Sequence, residues 1–492
     1  MTLFEEIVRL HDAHLDAARP QAVEAQRLRG CLTARERIAL LLDAGEPVIE
    51  LAALARPADE AVDAPAEGVV VVTGTVGGRL CVVVAYDATA LGAQQSPTSQ
   101  SKCERALEFA EQFGAPLVLL AEGGGRRANN VPHYRERREL AATGARLAGK
   151  VPLVGVAFGP TYSSLALLLG VCHVLIATPQ ARLDLGEPPP EGDEGGGSAE
   201  ALLELQRSGE VDLGAADDAD AVALARRYLS YFGERVISFA QGDESGVRAA
   251  LRSVVPENPR RAFDGRRLIE LIADPGTSLR LRERFGGSVQ TALARIGGRA
   301  VGILASHSMV MAGAIDSPAS DKMARFESLC DAFGLPLVFL VDTPGLFAGP
   351  QAEATAMNRH STRPYFVMSN ARVPVYAVTV RRAYGQGQVV MTHGGGAKPL
   401  KLIWPFAEFG GMGLGGAADI ITRSSSARRA GDERSRNEVL EAAQVHGSAL
   451  SLARRGGDDL IDPGETRDRL IAALRQAPPY PLRQSPWPVD SW

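Results

Sequence analysis

One repeat constrains this chain more than any other feature. The stretch "GGRLCVVVAYDATALGAQQSPTSQSKCERALEFAEQFGAPLVLLAEGGG" begins at Gly77, and "GGRAVGILASHSMVMAGAIDSPASDKMARFESLCDAFGLPLVFLVDTPG" begins at Gly297, 220 residues later. The same spacing returns between Gly114 and Gly334, between Arg105 and Arg325, and between Phe113 and Phe333. Further on, "VPLVGVAFGPTYSS" at Val151 is echoed by "VPVYAVTVRRAYGQ" at Val373, now 222 residues apart. A match of this length and order implies two halves built on one plan. A chain of 492 residues also exceeds what one hydrophobic core usually serves, so two domains are expected.

Each half reads as strand, loop, helix, short apolar strand, Gly-rich turn, helix, strand, turn, helix. Runs such as "PLVLL" and "PLVFL" are apolar throughout, as strands covered on both faces must be. Alternating strands and helices give an α/β class. The first 45 residues read as helical; in "LTARERIALLL", Thr33 followed by Glu36 is a capping box. The boundary between the halves is expected near "VPENPRRAFDG", giving domains 1–255 and 256–492. Within the first half, "LGEPPPEGDEGGGSAE" (Leu185–Glu200) is rich in Pro, Gly and acidic residues and is expected to be a mobile loop. The Pro-rich tail "QAPPYPLRQSPWPVDSW" is expected to be extended.

Composition narrows the class. Apolar residues make up 45% and charged residues 23%, with a net charge of −5, so nucleic acid is not an expected partner. Five cysteines, Cys31, Cys81, Cys103, Cys172 and Cys330, fall in no paired metal spacing, which reads as a reduced cytoplasmic protein without zinc. The opening "MTLFEEIVRLHDAHLDAA" lacks the layout of a signal peptide, and no apolar run is long enough to span a membrane.

Chemistry is most readily placed at the glycine turns. A strand end followed by glycines lets backbone come close to a ligand, and helix-start N–H groups carry partial positive charge. The first half offers Gly123, Gly124 and Gly125; the second offers Pro344-Gly345 and "AYGQG", Ala383 to Gly387. Ordinary structural turns are the alternative reading, since duplication copies those too. There is no P-loop, dinucleotide fingerprint, metal-spaced His/Glu cluster or serine elbow. His360 and His393 read as polar surface or loop residues. The arginines Arg126, Arg127, Arg135, Arg137 and Arg138 suit either a phosphate or a solvated helix face.

With these residues in view, the chain resembles the carboxyltransferase (beta) subunit of biotin-dependent acyl-CoA carboxylases, of the propionyl-CoA carboxylase beta type. The related decarboxylase alpha subunits share the plan. The resemblance runs from "LTARERIALLLDAG" through "GAPLVLLAEGGGRR" to "WPFAEFGGMGLGGAADI", with "ARFESLCDAFGLPLVFLVDTPGLFAG" and "AYGQG" its most specific stretches. It implies tandem crotonase-like (ClpP/crotonase) ββα superhelix domains from an internal duplication. Coenzyme A thioester is then expected on the first domain and carboxybiotin on the second. The first domain of one chain is expected to face the second of another, in a hexamer built as a trimer of dimers. No biotinyl-lysine motif or ATP loop is present, so a separate biotin carboxylase and biotin carboxyl carrier are implied partners.

Carried over by position, the resemblance implies backbone donors at Gly124 and Gly125 for the thioester oxygen, matching the family's "SGGAR". It implies donors at Gln386 and Gly387 for the biotin oxygen, matching "YGGA". Gly123, Arg127, Ser163, Ser164, Tyr384, Gly385, Gly345 and the pocket residue Val389 complete the expected substrate-binding set. No metal is implied, and biotin itself can serve as the base, which fits the absence of an obvious protein base. Three departures gather in the first half. "SGGAR" is "GGGRR"; "GPCAGGA" is "GPTYSSL", with Ser163 and Ser164 replacing glycines; and the family's glycine-rich segment is "GGGSAEALLELQRSGEVD", with Asp212 near its usual histidine. The expected activity is carboxyl transfer from carboxybiotin to the α-carbon of an acyl-CoA. A biotin-dependent decarboxylase subunit and a non-catalytic scaffold remain alternatives.

Overall fold

The computed structural model describes residues 2–57, 62–127, 139–188, 197–233, 244–258, 260–392, 400–423, 435–456, 459–477, 488–490 and 492. The chain divides into two units, Met1–Phe232 with Gln484–Ser491, and Gly233–Arg483 with Trp492. The division falls at 232/233, ahead of the expected 255/256. The helix Glu244–Ser253 belongs to the second unit because Leu251 is fully buried in that unit's core with Val301 and Leu470.

The first unit is built on β1 (Ile49–Leu51), β2 (Val69–Val76), β3 (Arg79–Tyr86), β4 (Leu117–Gly124), β5 (Leu153–Tyr162), β6 (Val174–Ala177), β7 (Arg182–Asp184) and β8 (Leu213–Gly214). They form one eight-stranded sheet in the order β1-β2-β3-β4-β5-β6-β8, with β7 beside β5. The second unit holds β9 (Leu279–Leu281), β10 (Val289–Ile296), β11 (Arg299–Ser306), β12 (Leu337–Thr343), β13 (Val375–Tyr384), β14 (Leu400–Ile403), β15 (Glu408–Gly410) and β16 (Asp459–Leu460). Its order, β9-β10-β11-β12-β13-β14-β16 with β15 beside β13, repeats the first strand for strand.

The sequence explains the shared plan. β2–β3 and β10–β11 are antiparallel hairpins turning at Gly77-Gly78 and Gly297-Gly298, all four with positive φ, as the favoured two-residue turns require. Each turn is tied to an aspartate. Gly77 and Gly78 donate to Asp43 at 3.0 and 2.7 Å, and Gly297 and Gly298 to Asp274 at the same distances. From β3 and β11 onward the neighbours pair in parallel, and the residues of β4 and β12 are buried almost without exception. The long helices Pro97–Phe113 and Ser317–Ala332 start at Ser96 and Asp316, whose side chains cap the first turn and precede or lie next to a proline. Each helix buries a lysine: Lys102 donates to the carbonyls of Ala66 and Val69, and Lys322 to those of Arg282 and Phe285.

The Thr33–Glu36 capping box forms as read. The stretch Leu185–Glu200 departs from its reading as a mobile loop at both described ends. Glu187 is hydrogen bonded at one end, and Ser198 caps the helix Ala199–Ser208 at the other. Local side-chain bonds there offset the ordering cost that composition alone would leave unmet. Residues 189–196, Arg135, Arg137, Arg138, His393 and most of the Pro-rich tail lie outside the described residues.

Candidate active site

In each unit two parallel strands end side by side. The pairing of β4 with β5 shifts register between Ala121 and Gly123, and that of β12 with β13 between Val341 and Thr343. Beyond the second strand of each pair a helix starts without a connecting loop, at Ser163 after Tyr162 and at Gly385 after Tyr384. The first-turn N–H groups of such a helix have no intrahelical acceptor and stand at its positive end. The chemistry this arrangement favours is stabilisation of an anionic oxygen.

In the second unit, Gly385 has φ of 54° and Gly345 has φ of 130°. The Gly345 N–H is engaged by Thr343 Oγ1 at 3.2 Å, and its carbonyl accepts from Ile315 N at 3.1 Å. Gly387 packs flush on this turn: a Cβ there would lie 2.7 Å from Gly345 Cα. The Gln386 side chain is exposed and accepts a bond from Tyr365 Oη at 2.7 Å. Tyr384 is buried and donates to Glu408 at 2.7 Å; burial, then the carboxylate beside it, pushes its phenol up. Val389 is half-buried one turn along the same helix.

Asp342, 1% exposed, holds the two strand ends in place. It accepts from Arg381 at 2.8 Å, from the Arg382 guanidinium at 2.8 Å and from the Arg382 N–H at 3.1 Å. Burial alone would raise its pKa, but the bonds from Arg382 and Arg381 outweigh that and hold it below the usual value. The first unit places Glu122 at the corresponding point and neutralises it differently. Arg37 pairs with it at 2.6 Å and Arg29 at 3.1 Å, while Gln26 donates to both its oxygens.

The first-unit turn carries three successive glycines of positive φ: Gly123 at 82°, Gly124 at 107° and Gly125 at 80°. A Cβ at Gly123 would run into the Gly92 carbonyl, so no other residue fits. Gln95 N donates to the Gly125 carbonyl at 2.8 Å, and Ser164 Oγ donates to Gln95 Oε1 at 2.9 Å. Ser163 adopts φ of 55°, the conformation that glycine takes at Gly385 in the second unit. Arg126 N donates to Glu187 Oε2 at 2.7 Å, and Ser163 Oγ lies 3.5 Å from Glu187 Oε1.

Gly123, Gly124, Gly125, Ser163 and Ser164 therefore meet at one turn, and Gly345, Tyr384, Gly385, Gln386, Gly387 and Val389 at the other. Arg127 is placed differently from a ligand contact: it is buried, with its guanidinium on Glu67 at 2.9 Å. Asp212 is likewise buried and accepts from Leu175 N at 2.7 Å, tying down β6. His360 bonds Asp321 at 2.7 Å. Gln95, Glu187, Tyr365, Glu122 and Asp342 were not singled out in the sequence. Only the last two had a signal there, as acidic residues directly before the two glycine turns. Among the described residues no cluster of His, Cys, Asp or Glu could hold a metal, and no helix is long and apolar enough to cross a membrane.

The carboxyl transferase domain family matches residues 25–490. The propionyl-CoA carboxylase beta chain of Roseobacter denitrificans is 30% identical over 92% of this chain and 92% of its own length. A single-chain, multi-domain long-chain acyl-CoA carboxylase superposes with a TM-score of 0.86 at 36% identity, over 96% of this chain; the match spans 49% of that larger chain. The transcarboxylase 12S structure, described as a hexamer with methylmalonyl-CoA bound, gives a TM-score of 0.84 at 28% identity over 98% of both chains.

Proposed function

The chain belongs to the carboxyl transferase domain family, and on that premise we propose that it transfers a carboxyl group from carboxybiotin to the α-carbon of an acyl-CoA. The observation that carries this is the pair of equivalent turns, each with glycines at a strand end set against the first turn of a helix. A reaction that develops negative charge on two separate oxygens needs two such places.

On this reading the first unit takes the thioester and the second the carboxybiotin. The N–H groups of Gly124 and Gly125 hold the thioester oxygen as the α-proton leaves. The N–H groups of Gln386 and Gly387 hold the ureido oxygen, and the bare Gly387 lets the helix start pack directly on Gly345. The glycines matter sterically too, because a Cβ at Gly123, Gly125 or Gly387 would collide with the chain itself and push the turn apart. Carboxybiotin, brought by a separate carrier and its biotin carboxylase, supplies the carboxyl group and then the base. Preorganised donors of this kind each contribute about 3 kcal/mol to the barrier difference. The glutamine at 386 does not alter the argument, since the donor is backbone.

Further parts of the reading are the same in kind. The two similar sheets are taken as duplicated crotonase-like domains. The assembly is taken as a hexamer, as described for the 12S relative. The five cysteines, all free and buried, suit a reducing compartment such as the cytoplasm. The test is transfer from a carboxylated biotin carrier to acetyl-, propionyl- and longer acyl-CoA, followed by mass spectrometry of the thioester. Carboxylation of one of these is expected; no product across the panel overturns the proposal. Release of carbon dioxide from malonyl-type thioesters onto biotin, without net carboxylation, would instead mark a decarboxylase.

A further inference from the structure

Two of the places where this chain departs from its family's pattern in the first half meet at one contact. Arg126, from "GGGRR", gives its N–H to the Glu187 carboxylate at 2.7 Å. The other oxygen of Glu187 lies 3.5 Å from the hydroxyl of Ser163, which replaces a glycine. Pro188 lies against Gly125 on the face where a Cβ would project, so a side chain at Gly125 would collide with it. Asp184 closes the approach to this segment by accepting from the Gly186 N–H at 2.9 Å. A carboxylate of the chain itself therefore sits beside the turn proposed to receive the thioester oxygen, on the N–H next to Gly125.

A second observation indicates that the turn is in a resting state. Gln95, 6% exposed, has its Nε2 buried without any hydrogen-bond partner, while its Oε1 accepts from Ser164 and its backbone binds both Gly125 and Arg127. A buried amide donor left unmatched costs free energy that an incoming acceptor would recover.

We propose that Glu187 is a resident competitor at the acyl site: its carboxylate holds the Arg126 N–H beside the Gly124 and Gly125 donors and must be exchanged out when acyl-CoA binds. This rests on the reading of the first unit as the acyl-CoA side. The charge, the N–H bond and the proline contact hold the segment down, and the thioester is selected by its ability to replace them. The residue thus sets affinity for the acyl substrate without taking part in the transfer.

Calorimetric titration of the full chain with acetyl-CoA and propionyl-CoA tests this, comparing wild type with Glu187→Gln and Glu187→Ala. Removing a charged self-ligand should tighten binding by about five- to tenfold. Hydrogen–deuterium exchange at the Arg126 amide gives a readout independent of CoA. It should be slow in wild type and faster in Glu187→Ala. Equal or weaker CoA binding by the variants, with Arg126 exchange unchanged, overturns the proposal alone. Absence of CoA binding by wild type and variants alike overturns the acyl-CoA reading and this proposal with it. Glu187 is on an exposed segment, and unchanged melting temperatures would confirm that both variants are folded.

Discussion

Gly387 and Gly345 touch backbone to backbone: a Cβ added to Gly387 would lie 2.7 Å from Gly345 Cα and 2.8 Å from its carbonyl carbon. Neither neighbour is a flexible side chain that could swing away. Gly387→Ala is therefore expected to cost about 1–3 kcal/mol of stability and to separate the helix start from the strand end. Urea unfolding gives the first quantity. Carboxyl transfer assays should show a larger loss than stability alone accounts for, because the donors are displaced.

Gln386 separates side chain from backbone. Gln386→Gly keeps the N–H and removes only an exposed group bonded to Tyr365, so kcat should stay within about twofold. Gln386→Pro deletes the N–H at a first-turn position where proline is tolerated. Its kcat is expected to fall at least about 10²-fold with little change in melting temperature. Equal activity of the two variants would remove the backbone donor from the mechanism.

Asp342 and Arg381 pair in a place that water does not reach, and the partly exposed Arg382 shares the same carboxylate. Asp342→Asn leaves Arg381 buried with its charge unmatched, at a cost of about 3–5 kcal/mol. The asparagine Oδ1 can still accept the Arg382 N–H, so the anchor at the end of β12 is weakened through the lost charge rather than removed. Denaturant titration and transfer assays should report coupled losses.

Ser163 pays a backbone cost that its counterpart Gly385 does not, both being in the left-handed region. Ser163→Gly should raise stability by about 1 kcal/mol, and Ser163→Val should lower it by at least as much. Thermal unfolding of the two variants, measured side by side, checks the opposite signs.

Lys322 gives a pH signature. Burial pushes its ammonium down to about 7 from an ordinary value of 10.5. Below pH 7 folded and unfolded chains both hold the proton. Between about 7 and about 10 the unfolded chain holds more protons than the folded one, so the contribution of Lys322 to stability rises with pH. The unfolding free energy of wild type minus that of Lys322→Met should therefore be larger at pH 9 than at pH 7. A gap independent of pH would show that the lysine does not titrate in this window.

Much of the fold was legible because its rules are local or periodic. Strands covered on both faces must be apolar throughout, and "PLVLL" and "PLVFL" became β4 and β12. Thr33 and Glu36 are three residues apart, the reach of a capping box, and the box formed. The hairpins at Gly77-Gly78 and Gly297-Gly298 were not read from the sequence, although paired glycines between apolar runs are their usual mark. The boundary at 255/256 missed because the helix Glu244–Ser253 shows its allegiance only through the core that Leu251 enters. Arg127 was read as a ligand contact from its neighbourhood in the chain, yet Glu67, far back in sequence, claims its guanidinium.

By itself, then, the chain determined a twofold plan of strand, glycine turn and helix, and with it two candidate cradles for negative charge, since apolar runs and glycines act through the backbone next to them. Only the tertiary structure decided what sits in those cradles. Glu187 meets Arg126 across 61 residues and Gln26 meets Glu122 across 96. A charged or polar side chain finds its partner by burial and distance, and neither quantity is written in the spacing of residues along the chain.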